Sequence, residues 1–295
     1  MEISIVIPTF NRKKVLVECL RLLNNQTARD GSFEVILVDD ASSDGTKEEV
    51  ERLEKNYPFK YIYQENQGSA AARNNGIKEA SGRIILFIDD DVLAHPRLVE
   101  THLKLQKGQN DLIVRGPIIN IPRLEIPLDR PIGIWDMNKN FFCTSNVSVA
   151  KEQIIKAGMF DPLFQWWVDC ELGFRLRMMG LRWKFSLDAI VFHYKPFLED
   201  ELENIKRWAV KRGKYAVKLY KKHPHWRIQL TTGIHWLSFL IAAIFNNKII
   251  TRFYEKIFNT SKGDNRFYYR SLLTSQIANY YYIKTIKEEL KAEKH

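Results

Sequence analysis

The sequence predicts an α/β fold, a mostly parallel central sheet with helices on both faces, followed by a helical C-terminal region. Three observations predict it. Four short apolar runs recur early in the chain, segments of helical periodicity separate them, and from Glu201 onward the pattern is helical alone.

Ile3–Pro8 (ISIVIP) is brief and rich in β-branched side chains, which suits a strand. In Arg12–Gln26, Val15, Cys19, Leu22 and Leu23 recur at helical spacing and mark one face. Phe33–Val38 (FEVILV) is a second strand. It runs into Asp39-Asp40 and the turn Ser42-Ser43-Asp44-Gly45, a helix-entry signal before Thr46–Tyr57. Phe59–Tyr63 is a third strand, Gly68–Ala80 a small-residue helix, and Arg83–Ile88 (RIILFI) a fourth strand that ends at Asp89-Asp90-Asp91. Further on, Leu112–Asn120 reads as a strand and Pro122–Pro131 as a proline-interrupted loop. Thr144–Val149 is another strand, Lys151–Ala157 and Val168–Met179 are helices, and Ala189–Tyr194 is the last strand. Glu201–Lys222, Ile228–Asn247 and Arg266–Leu290 are the helices of the tail. The expected organisation is a domain over 1–200, with halves at 1–110 and 111–200, and a basic helical region over 201–295.

Composition narrows the possibilities. Of the 295 residues, 45% are hydrophobic and 27% charged, as in a soluble globular protein with a real core. Cys19, Cys143 and Cys170 are odd in number and far apart, so neither a disulfide framework nor a CxxC metal pair is expected, and a reducing compartment is. The start MEISIVIPTF enters a strand directly, without the basic segment and cleavage site of a signal peptide. Charge is uneven: residues 1–200 hold 26 Lys+Arg against 28 Asp+Glu, and residues 201–295 hold 19 against 7. A basic tail on a near-neutral body implies an anionic partner, a membrane surface or a polyphosphate. The tail carries no nucleic-acid recognition motif, so no nucleic acid is expected. Ile228–Asn247 is free of charge and as long as a membrane span, but its polar residues favour a helix lying in the membrane interface. Packing on the domain, or a homodimer contact, is the competing expectation.

Two acidic pairs lie at carboxyl ends of strands, where sheets of this type bind ligands, so Asp39-Asp40 and Asp89–Asp91 are expected to share one crevice. In an extended segment Asp89 and Asp91 would point one way and Asp90 the other. Like carboxylates repel unless a cation lies between them. Hard oxygen donors suit Mg²⁺ or Mn²⁺, completed by phosphate and water. The plain alternative is a solvated acidic turn or a cap for the helix that begins near His95-Pro96. Asp40 either caps its own turn or accepts a hydrogen bond from a nucleobase.

Ile5-Val6-Ile7-Pro8-Thr9-Phe10-Asn11-Arg12 and Val38-Asp39-Asp40-Ala41-Ser42-Ser43-Asp44-Gly45-Thr46 resemble the opening of the family 2 glycosyltransferases of GT-A fold. Asn66-Gln67-Gly68, Ala72-Arg73-Asn74-Asn75-Gly76 and Phe87-Ile88-Asp89-Asp90-Asp91 continue the series in order. Thr144-Ser145-Asn146, Gly158-Met159-Phe160-Asp161 and Val168–Leu176 extend it, so that the resemblance covers residues 1–195. It implies that Pro8, Thr9, Asn11, Asp40 and Arg73 surround a nucleoside, with Asp89 and Asp90 beside the donor. Asp91 is the implied direct metal ligand, Asp89 a ribose or metal-shell partner, and His193 a further ligand. Asp169 is the implied general base. The common Glu-Asp pair is here Val168-Asp169, which leaves Glu171 as rival; two apart on a helix, the two carboxylates diverge by about 200°.

The implied reaction moves one sugar from a nucleoside-diphosphate sugar, a UDP-sugar by preference, to an acceptor hydroxyl with inversion, using Mn²⁺ or Mg²⁺. Ser145, Asn146, Trp166, Trp167 and Glu171 are candidates for acceptor or donor-sugar contact; the tryptophans could equally belong to the core. The basic tail favours a lipid-linked acceptor in cell-surface glycan or glycolipid synthesis and a cytoplasmic protein peripheral to the membrane. Two rivals are a sugar nucleotidylyltransferase, opposed by Pro8-Thr9-Phe10-Asn11 where a glycine-rich loop would stand, and a non-catalytic binding module, opposed by Asp40, Asp91 and Asp169.

Overall fold

The computed structural model describes residues 1–137, 140–196, 202–260 and 267–292. The chain divides into two compact units, Met1–Phe197 and Leu198–His295.

In the first unit, β1 (Ile3–Thr9) is buried along its whole length, as expected of a central strand covered on both faces. It pairs in parallel with β2 (Phe33–Asp39) on one side and β4 (Ile84–Phe87) on the other, and β3 (Phe59–Tyr63) continues the sheet beyond β2. Beyond β4 come β8 (Val147–Ala150), β6 (Leu112–Arg115) and β9 (Arg182–Phe185). Only β8 runs against the others, through antiparallel pairing with β4 and β6. The chain leaves β1 toward β2 and β3, then returns to the far side of β1 as β4. That reversal opens a crevice at the carboxyl ends of β1 and β4, the place where open α/β sheets take ligands.

Three expected elements of this unit come out differently. The long strand Leu112–Asn120 is cut at Gly116-Pro117 into β6 and β7 (Ile118–Ile121), because proline cannot donate to the ladder. β7 leaves the main sheet and joins β5 (Val92–Ala94) and β10 (Val191–Tyr194) in a small three-stranded sheet. The helix expected over Thr46–Tyr57 ends early, as α2 (Thr46–Arg52). The third difference is the acidic run, which forms a turn between β4 and β5 instead of an extended segment.

Helix α1 (Lys13–Leu23) buries Leu16, Val17, Cys19, Leu20 and Leu23 against the core; Val15 and Leu22 lie at the edge of that face, not its centre. Helix α3 (Ser69–Glu79) is made of small residues and approaches the sheet closely: a Cβ on Gly76 would stand 2.4 Å from a Val6 methyl carbon. Helices α4 (Leu98–Gln106), α5 (Lys151–Lys156) and α6 (Val168–Met178) complete the unit. Phe87, Phe142 and Phe160 form an edge-on aromatic cluster, with Phe87 and Phe160 ring centroids 5.4 Å apart.

The second unit is helical: α7 (Leu202–Lys222), α8 (Trp226–Thr232), α9 (Trp236–Phe245), α10 (Lys248–Thr260) and α11 (Phe267–Lys291). Ile205, Phe258 and Ile277 form its apolar centre. The single helix expected over Ile228–Asn247 is broken at Gly233, which adopts φ +70° and ends α8 with a left-handed cap.

Candidate active site

A cleft of 630 Å³ opens at the reversal between β1 and β4, lined by Pro8, Thr9, Phe10, Arg12, Asp40, Ser69, Arg73, Asp89–Asp91, Trp166 and His193. The ends of three strands build its floor: Pro8 and Thr9 close β1 and residues 10–12 follow it, Asp40 follows β2, and the acidic turn follows β4. Strand β10 supplies the last wall. Its register sets His193 opposite Val92, and the Tyr194 amide donates to the Asp91 carbonyl at 2.8 Å, so His193 arrives beside the acidic turn.

The three aspartates have separate surroundings. Asp89 accepts from Arg73 Nη2 and from Ser145 Oγ, both at 2.6 Å, one on each carboxylate oxygen. Asp90 accepts from Thr9 Oγ1 at 2.8 Å and pairs with Arg12 at 3.3 Å. Burial pushes its carboxyl up to about 7, with Arg12 and Thr9 opposing. Asp91 gives one oxygen to Arg12, and its Oδ1 lies 3.2 Å from His193 Nε2. That oxygen is buried, and apart from this His193 contact it has no partner. Burial would raise Asp91, but His193 and Arg12 outweigh it and hold the carboxyl below its usual range. The expected alternation is therefore corrected: Asp90 and Asp91 share Arg12, and Asp89 is the one held apart, because the segment turns.

A divalent cation fits the Asp91–His193 pair on chemical grounds: a buried carboxylate oxygen faces an imidazole nitrogen and takes no hydrogen bond from any other group. Among the described residues no three His, Cys, Asp or Glu side chains gather as metal ligands. Asp89, expected as a further metal partner, is already engaged by Arg73 and Ser145 on both oxygens. A two-ligand protein site suits a cation completed by phosphate and water.

Residues 4–150 match the family described as Glycosyl transferase family 2. The chain belongs to glycosyl transferase family 2. Among curated relatives, the validoxylamine A glucosyltransferase of Streptomyces hygroscopicus subsp. limoneus is 31% identical over 227 residues, covering 63% of this chain and 50% of that one. The chain spans less than two thirds of the length of the first curated relatives it matches. Among solved structures, the mannosyltransferase PcManGT from Pyrobaculum calidifontis, in complex with GDP-Man and Mn²⁺, has a TM-score of 0.64 at 18% identity over 97% of this chain and 87% of that one. S. aureus TarS 1-349 in complex with UDP-GlcNAc has a TM-score of 0.58 at 15% identity, over 99% and 92%. These likenesses show the GT-A-type fold.

The other residues that the family resemblance singled out fall into two groups. Pro8, Thr9, Asp40, Arg73 and Trp166 line the cleft together with the aspartates and His193. Arg73 is buried beneath it with Nε lacking an acceptor. Its guanidinium lies 5.7 Å from the Phe160 ring centroid. Asp40 is more occupied than expected: its carboxylate accepts from Gln64 Nε2 at 2.7 Å and from the Gln67 and Gly68 amides, both at 2.8 Å. Of roughly four acceptor positions on a carboxylate, three are used in fixing the entry to α3.

The second group serves the framework. Asn11 holds φ +52° and bonds the Ser43 amide at 2.8 Å, tying the loops after β1 and β2 together. Asn146, 1% exposed, is spent on the Pro117 and Ala189 carbonyls and on His102. Glu171 is buried against Arg175, whose guanidinium also reaches the Ala157 and Met159 carbonyls. Asn146 and Glu171 are thus removed from the expected substrate contacts, and Glu171 from rivalry with Asp169, since a carboxylate closed in an ion pair has no access to a reacting hydroxyl. Trp167 caps α6 in the left-handed region, φ +64°, which costs roughly 1–3 kcal/mol for a bulky side chain.

Asp169, in the first turn of α6, accepts from the Thr144 amide at 2.9 Å and from its hydroxyl at 3.1 Å. Burial raises its carboxyl, opposed by the charge of Arg73 and by Thr144. Thr144 and Ser145 are consecutive, so one segment positions both Asp169 and Asp89. Arg12 was passed over by sequence reasoning. Its signal was its place: a cation at the N-terminus of a helix opposes the dipole, so it needs an anion nearby.

Proposed function

We propose that this chain transfers a single sugar from a nucleoside-diphosphate sugar to an acceptor hydroxyl, with inversion at the anomeric carbon and with a divalent metal. The observation that carries this reading is the buried Asp91 Oδ1 with His193 Nε2 as its one partner, in a cleft that also holds Arg12 and Arg73. Such a place suits a metal-bound diphosphate far better than a neutral ligand. Asp91 and His193 would hold Mn²⁺ or Mg²⁺, which would supply charge neutralisation of the departing diphosphate. Arg73 and Arg12 contribute cationic donors toward phosphate oxygens. The nucleoside lies along Pro8, Thr9 and Asp40, where the remaining acceptor position of Asp40 reads a base donor. Asp169 takes the proton of the attacking hydroxyl, a role that a carboxyl raised by burial favours over one at the ordinary value. Trp166 offers an apolar face for a sugar ring.

In this reading residues 1–110 carry most of the donor site, 111–200 complete it with Trp166 and His193 and take the acceptor, and 201–295 serve a lipid-linked acceptor at the cytoplasmic face of a membrane. A UDP-sugar is the donor we favour, with GDP-sugars the competing class. A thermal-shift series with UDP, GDP and dTDP, each with and without Mn²⁺, tests it, because a ligand of the native state raises the melting temperature. One diphosphate is expected to stabilise the protein with Mn²⁺ and much less without it. Equal response to every nucleotide, independent of metal, would argue against the assigned site.

A further inference from the structure

We propose that α8, α9 and α10 form a surface that docks in the plane of an anionic lipid bilayer. This deepens the lipid-linked acceptor reading and rests on it for its purpose.

Three consecutive short helices each leave an apolar row in water. On α8 it is Trp226 and Leu230; on α9, Trp236, Leu240 and Ile244 with Leu237 and Ile241 beside them; on α10, Ile249 and Phe253. The spacing of four places each row on one face of its helix. Ile249 is 81% exposed and Trp236 is 74% exposed, so these are not core residues at the margin of burial. An apolar surface of this extent marks a partner.

Charge selects the partner. The three helices carry Arg227, Lys248, Arg252 and Lys256 against one acidic residue, Glu255, which pairs with Lys206 of α7. Lys248 and Arg252 are exposed on α10, one residue from Ile249 and Phe253 respectively. A second copy meeting this surface about a two-fold axis would set like charges against each other. An anionic bilayer complements both parts, with acyl chains for the apolar rows and headgroups for the cations, and tryptophan favours that boundary.

Geometry selects the mode. Trp226–Phe245 is long and apolar enough to cross a membrane by composition. It is not one helix, however: residues 233–235 interrupt it, and α9, with 10 residues, extends about 15 Å against a hydrocarbon core of about 30 Å. A break in the hydrocarbon would strand backbone polar groups. The segment is also fastened within its unit, by Tyr282 donating to the Thr232 carbonyl at 2.6 Å and by Asn246 donating to Gln276 at 2.7 Å. Both bonds are kept if the helices lie flat.

The test floats the full-length protein with vesicles of phosphatidylglycerol and phosphatidylcholine, and with phosphatidylcholine alone. Flotation with the anionic vesicles and little with the neutral ones is expected. The triple variant Trp236→Ser, Ile249→Ser, Phe253→Ser is expected to lose roughly tenfold or more of the partitioning. The charge variant Lys248→Glu, Arg252→Glu provides a second, independent loss, with folding checked by circular dichroism. Absence of flotation, flotation unchanged in both variants, or resistance to alkaline extraction would each overturn the proposal. So would a wild-type dimer that the triple variant dissolves without any vesicle binding. Nucleotide release from donor, assayed without vesicles, is expected to be equal in wild type and variants. Wild-type protein that floats but releases no nucleotide would sink the transfer reading and leave the surface standing; release without flotation would do the reverse.

Discussion

Asp89, Asp90 and Asp91 are adjacent and chemically identical, yet the turn they occupy hands each a different partner. Asp89 is fixed by Arg73 and Ser145, Asp90 is buried on Thr9, and Asp91 keeps one oxygen for His193 alone. Asp91→Asn and His193→Ala are each expected to weaken Mn²⁺ binding by roughly tenfold or more, read by calorimetric titration in the presence of the nucleoside diphosphate. Asp89→Asn should act differently, by releasing Arg73. Asp169→Asn is expected to lower kcat by roughly 10²–10⁴-fold with little change in donor affinity. A base must be ionised to accept a proton, and burial has raised this carboxyl. Activity should therefore fall as the pH drops through a value above the ordinary Asp range, and a limb at the ordinary value would contradict the assignment. The resemblance to family 2 makes Asp91, His193 and Asp169 legible as candidates in the sequence. What the sequence could not tell was which carboxylates were already spoken for. Glu171 looked equivalent to Asp169 until Arg175, one helical turn away, was seen to close over it, and Asn146 looked like a substrate contact until its amide was found between two carbonyls.

At the scale of elements, the cleft depends on how tightly α3 lies on the sheet. Arg73 and Gly76 are on the same helix, and Gly76 has no room for a methyl group against Val6. Gly76→Ala is expected to cost about 1–3 kcal/mol by overpacking, measured by denaturant unfolding, and to weaken nucleotide binding as Arg73 is lifted from Asp89. Asn74, between them, clasps Phe160 with bonds of 2.8 and 2.9 Å, which joins two of the motifs that were far apart in sequence. β1, β2 and β4 are readable because a buried parallel strand is a run of apolar residues, whatever its partners. β3, half-buried at the sheet edge, is readable because Phe59, Tyr61, Ile62 and Tyr63 are strand-favouring types. β5 and β9 are not: Val92–Ala94 is three residues long, and Arg182–Phe185 is largely exposed at the sheet edge, so neither carries a hydrophobic run. β7 was hidden inside a longer apolar stretch, and only the proline at position 117 marked the cut.

Across the whole molecule, a buried polar network far from solvent links stability to pH. His102 is fully buried between Ser148 at 2.7 Å and Asn146 at 3.2 Å. Burial pushes the imidazole down to about 4, with Asn146 opposing. Between that value and the unfolded value of about 6.5, the unfolded chain holds more protons than the native one, so stability rises with pH. Its contribution is complete above about 6.5 and is lost as the pH falls toward 4, by at most about 3 kcal/mol. Melting temperatures over that range should fall more steeply for wild type than for His102→Gln.

The proposed transfer requires the cleft to cleave the bond between sugar and diphosphate with a metal held by Asp91. It is tested most directly by nucleoside-diphosphate release from a panel of UDP-, GDP- and dTDP-sugars incubated with the full-length protein and Mn²⁺. Slow release from one donor class is expected, lost on chelation and in Asp91→Asn. No release from any donor, or release that Asp91→Asn leaves unchanged, would contradict it.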